Sequence, residues 1–79
     1  RSCLGVYLLA QLNAEFTVIY EKDSLAIIDP LKNVTVGLQP PDEQGRWLDE
    51  YGKNTIWFEE SEDGGMGAMV IDAATRFAR

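Results

Sequence analysis

The sequence predicts an α+β fold: a mainly antiparallel sheet of four or five strands, an N-terminal helix and short helical cover. Three observations carry this. Phe16, Val18 and Tyr20 alternate with Glu15, Thr17 and Glu21, the period of a strand with one buried face. Val34, Val36 and Leu38 repeat that pattern against Thr35, Gly37 and Gln39. Leu4, Leu8, Gln11 and Leu12 instead fall at helical spacing among good helix formers. The all-β alternative is a small barrel, reached if Ser2 to Leu12 is a strand, as Gly5, Val6 and Tyr7 would suit.

In chain order, Ser2 can cap the first helix and Asn13 can stop it. The first strand of the meander runs from Glu15 to Glu21, and Lys22, Asp23 and Ser24 break it with turn residues. Leu25 to Ile28 returns as its hairpin partner. Asp29-Pro30-Leu31-Lys32 fits a type I turn, with Asn33 tolerating a left-handed backbone. Gln39-Pro40-Pro41 ends the third strand, because proline cannot donate to the ladder.

Asp42 reads as the cap of a short helix over 43–51, with Trp47, Leu48 and Tyr51 on one side and Gly52 as its stop. Asn54 to Glu60 is a further strand, with Ile56 and Phe58 inward and Trp57 outward. Ser61-Glu62-Asp63-Gly64-Gly65 is the strongest breaker in the chain. Beyond it, a strand through Ile71 followed by a short helix to Phe77, capped by Asp72, is expected; a continuous helix over 68–79 is the other option. Phe16, Val18, Ile27, Val36 and Phe58 are the expected core.

Length gives one domain over residues 1–79. Such a chain buries only roughly 60–65% of its unfolded surface, so its stability margin is thin. The net charge of −6, from 13 acidic and 7 basic residues, argues against nucleic acid and against anionic membranes as partners. It suits solubility, or a basic protein partner. No run approaches the ~20 apolar residues of a membrane helix, and Leu4 to Leu12, though like a signal-peptide core, reads as a structural element. A single cysteine, Cys3, suits a reducing compartment, so a cytoplasmic location is expected. In such a compartment Asn33-Val34-Thr35 has no meaning as a glycosylation triplet.

The chemistry-bearing patterns are few. With no His, neither a Cys/His zinc site nor a Cys-His nucleophile pair can form. Gly64-Gly65-Met66-Gly67 lacks the Lys and Ser or Thr of a phosphate loop, so it reads as a hairpin connection. Glu59-Glu60-Ser61-Glu62-Asp63 lacks a calcium-loop spacing and reads as solvated acidic surface. No catalytic residue, metal or cofactor is expected.

The expected function is a non-catalytic interaction module that binds a protein partner and forms a homo-dimer along an exposed sheet edge or apolar sheet face. Its contact surface would carry Trp57 as anchor with Glu59, Glu62 and Asp63 as an acidic rim facing a basic partner. One alternative is a small-molecule pocket between sheet and helices, lined by Tyr7, Tyr20, Trp47 and Phe58. Another is an acidic inhibitor that mimics nucleic acid.

Overall fold

The alternating segments form strands, and so do the segments read as helices. The computed structural model describes residues 2–79. Its strands are β1 (Gly5–Leu9), β2 (Ala14–Glu21), β3 (Ser24–Asp29), β4 (Val34–Gln39), β5 (Trp47–Asp49), β6 (Thr55–Glu60), β7 (Met66–Ile71) and β8 (Thr75–Ala78). Each pairs antiparallel with the next, and β8 returns to β1 through Leu8 and Ala78, closing a barrel of eight strands. The α+β class is therefore wrong, and the all-β barrel kept as its alternative describes the chain. The only helical element among the described residues is one 3-10 turn, Ala10–Leu12.

Three corrections have local physical causes. Ser2 to Leu12 is not a helix: β1 buries Tyr7 and Leu9 inside the barrel and leaves Val6 and Leu8 on the outside. Apolar residues on both faces imitated a helical stripe. Positions 43–51 are not a helix either. The Asp42 carboxylate accepts from the Gln44 and Arg46 N–H groups, a cap-like pattern that closes a turn before β5. Gly45 sits in that turn at φ 79° and Gly52 ends the next one at φ 72°. Asp72 does not cap a helix, because it and Ala73 occupy a hairpin turn between β7 and β8. Ala74 N–H closes that turn on the Ile71 carbonyl at 3.1 Å.

The central meander follows the sequence pattern. Lys22 and Asp23 have φ of 53° and 65°, the signs of a type I′ turn, which matches the twist of β2 and β3. Asp29 Oδ1 accepts from Leu31 N–H at 2.8 Å and Lys32 N–H at 3.1 Å, holding the β3–β4 turn, and Asn33 is left-handed at φ 57°.

Successive turns alternate between the two barrel ends, so the β1–β2, β3–β4, β5–β6 and β7–β8 connections share one end. The inward faces of the strands make the core. Tyr7, Val18, Ile56 and Met69 are its most deeply buried side chains. Phe16 meets Phe77 edge-on at 4.9 Å and Tyr7 lies against Phe58 at 5.8 Å. Phe16, Val18 and Ile27 are buried as expected, whereas Val36 and Phe58 are only half-buried.

Closure has a further result. A barrel has no free sheet edge, so the open edge, one of the two surfaces expected to carry a dimer, does not exist. No helix among the described residues is long and apolar enough to cross a membrane. The strands are three to eight residues long, short of the ~9–11 of a membrane-spanning strand.

Candidate functional site: the open mouth of the barrel

Eight strands enclose a space that side chains can just fill, or that can hold one small ligand. This barrel is filled by side chains at one end and hollow at the other. At the end carrying the β3–β4 and β5–β6 connections, a cavity of about 340 Å³ opens to solvent. Its walls are Phe16, Ile27, Val36, Leu38, Ile56 and Ile71, all from strand interiors. The alternation that buries one strand face therefore also builds the apolar wall. Val34 and Tyr51 stand at the rim, 44% and 68% exposed, so apolar surface at the mouth is left uncovered.

The polar groups of the mouth are Asp29, Lys32, Asp49, Tyr51, Lys53 and Asn54. Asp49 is the one buried charged residue among the described residues, 4% exposed. Its Oδ1 accepts from Lys53 N–H at 2.8 Å and its Oδ2 from the Asn54 side-chain amide at 2.8 Å. Burial works against its charge, but donors from Lys53, Asn54 and Tyr51 together outweigh it and hold the carboxyl below the usual range. Asp49 thus shapes the β5–β6 loop, as Asp29 shapes the β3–β4 loop. Both loops bring a lysine to the mouth. Neither the Lys32 nor the Lys53 ammonium makes an ion pair or hydrogen bond among the described residues.

Of the four residues expected to line a pocket, Tyr7 and Phe58 meet in the core, and the structure does not gather the four around one cavity. Tyr7 is fully buried, with its hydroxyl donating to the Cys3 carbonyl at 2.8 Å. Phe58 packs against Tyr7. Tyr20 is 64% exposed beside the β2–β3 turn. Trp47 is half-buried against the core and borders a different, shallow surface depression with Pro40, Arg46 and Thr55. None of the four lines the mouth.

The residues expected to meet a partner lie on and beside the outer face of β6. Trp57 is outward, paired in register with Val70, and half-buried. The Arg46 guanidinium sits 5.8 Å over its ring. Glu59 pairs with Arg76 at 2.6 Å, and that contact, with help from Trp57, holds its carboxyl low. Glu62 is exposed in the β6–β7 connection. Asp63 turns back on its own loop, accepting from the Ser61 hydroxyl and from Gly65 N–H at 3.0 Å. Two of the three expected rim carboxylates therefore have partners within the chain. Burial pushes the Cys3 thiol up, so it stays protonated at neutral pH.

Sequence reasoning missed Lys32, Lys53 and Asp49. A signal was present: Asp29 with Lys32 and Asp49 with Lys53 repeat the same pairing at two connections of the same parity. In an up-and-down barrel, connections of one parity share one end. Comparison with protein-family models, with curated proteins and with solved structures found no match.

Proposed function

We propose that the protein is a small-molecule-binding barrel that takes an apolar ligand into its open mouth. The observation that carries this is a cavity of about 340 Å³ walled by the inward side chains of five strands. Ligand sites are apolar concavities of roughly 300–1,000 Å³ with a few polar groups at fixed places, and this one falls at the lower end. The uncovered Val34 and Tyr51 add a second reason, since an occupant would remove them from water. Binding rather than catalysis is the reading supported by its two aspartates, whose oxygens accept from loop donors. The interaction-module reading has less support, because closure removes the edge and Trp57 is already half-buried, with the Arg46 guanidinium over its ring.

The test is a titration of the labelled protein with 1-octanol, followed by amide chemical shifts. Saturable shifts are expected at Phe16, Ile27, Val36, Ile56 and Ile71. No saturable shift, or shifts centred on Trp57 and Val70, would overturn the proposal.

A further inference from the structure

We infer that the ligand of the mouth is a carboxylate-bearing amphiphile, its tail against the strand interiors and its single negative charge between Lys32 and Lys53; this rests on the binding reading above. The chain is acidic overall, at −6, so unpaired cations are scarce and their placement is informative. Arg46 lies over Trp57 and bonds Gln44, and Arg76 is paired with Glu59. Arg79 donates to the Ser2 and Leu4 carbonyls. Lys22 lies in the β2–β3 turn, at the far end of the barrel. Among the described residues that leaves Lys32 and Lys53, and both line the apolar-walled mouth.

The neighbouring carboxylates do not cancel them in kind. Both oxygens of Asp49 and one oxygen of Asp29 are taken by loop donors, so their hydrogen-bonding capacity is largely spent. The two ammonium groups keep theirs, with three donors each. An incoming carboxylate finds donors, whereas an incoming cation finds mostly occupied acceptors. The same two aspartates set the charge limit. A doubly charged phosphate head would lie close to both, and like charge disfavours it more than a single carboxylate. The apolar wall is short, which fits a chain of modest length rather than a long acyl chain.

The test compares octanoate, 1-octanol and octyltrimethylammonium against the wild type and a Lys32→Gln/Lys53→Gln variant, by calorimetry and amide shifts. The wild type is expected to bind octanoate about tenfold or more tighter than 1-octanol, and the cation more weakly than either. In the variant, the ratio of octanoate to 1-octanol affinity should fall to about one. The octanoate advantage should shrink as salt rises. Equal binding of octanoate and 1-octanol by the wild type overturns the charge assignment and leaves the binding barrel standing. So does a variant that keeps the full octanoate preference. Failure of all three probes to bind overturns the binding barrel itself.

Discussion

The two ends of the barrel are built from the same eight strands and differ in what those strands point inward. Towards the β2–β3 and β6–β7 connections the interior receives Tyr7, Phe58 and Met69, with Cys3 packed against them. Tyr7 is 0% exposed there, and its hydroxyl is bonded. Towards the β3–β4 and β5–β6 connections the interior receives Val34, Val36 and Ile71, and a cavity results. Eight strands lie at the size where a few methylenes decide between a plug and a pocket. Side-chain volume at a handful of inward positions, rather than backbone architecture, makes one end filled and the other hollow.

The comparison can be broken most directly by truncation. Tyr7→Ala should cost about 3–5 kcal/mol, the range for removing a large buried aromatic, whereas Val34→Ala at the mouth should stay within about 0.5 kcal/mol. Urea denaturation reads both; similar losses would mean that the mouth is as tightly packed as the plug.

Asp49 comes next, as the residue that lets a loop stand over a hollow end. Asp49→Ala should cost about 1–3 kcal/mol by leaving the part-buried Lys53 and Asn54 donors without their acceptor. Its folded-state pKa is lowered, so its stabilising share is present above about pH 4, the unfolded carboxylate value. That share is lost as pH falls through the folded value. The gap in urea midpoint between wild type and Asp49→Asn should therefore narrow below pH 4. A gap constant from pH 7 to pH 2 would show that charge on Asp49 contributes nothing.

A third substitution converts one end into the other. Val36→Phe adds volume to the half-buried wall of the cavity. It should lower 1-octanol affinity about tenfold and change stability by less than about 1 kcal/mol, since the space is empty rather than overpacked. A large loss of stability with unchanged affinity would place the ligand elsewhere.

The smallest effect concerns the β7–β8 turn at the mouth end. Ala73 has φ 58°, where a Cβ is strained and glycine is not. Ala73→Gly should raise stability by about 0.5–1 kcal/mol, partly offset by the extra freedom of glycine in the unfolded chain. Thermal melting would show it, and a lowered midpoint would mean the turn is unstrained.

That same turn shows why the sequence was only partly legible. The β2–β4 meander could be read because its strands are long, alternating and separated by turn residues. At Asp72-Ala73 the usual hairpin glycine is missing, and Ala73, Ala74 and Arg76 are helix formers, so β8 looked helical. Strand β5 is three residues long and sits between Asx-type capping and a glycine stop, the punctuation of a helix. Strand β1 carries apolar residues outside as well as inside. Each of these is a strand through closure, a long-range condition that no local window contains. The cavity was hidden for the same reason. Ile27 and Val36 were recognisable as inward, but which inward residues leave space depends on strands far apart in sequence meeting around one axis.

Pairing around that axis is almost entirely between consecutive strands, and the β8–β1 seam is the exception. It has one paired position, Leu8 with Ala78, reinforced by Arg79, whose guanidinium donates to Leu4 O at 2.7 Å across 75 residues of sequence. Seven neighbouring hairpin contacts can form by short loop closures, which are entropically cheap and fast, while the seam must wait for the chain to come round. Folding should therefore proceed as an open curled sheet that seals last. In the native protein, the same seam should be where the barrel opens most often, with amides near Leu8 and Ala78 exchanging faster than those between β2 and β3.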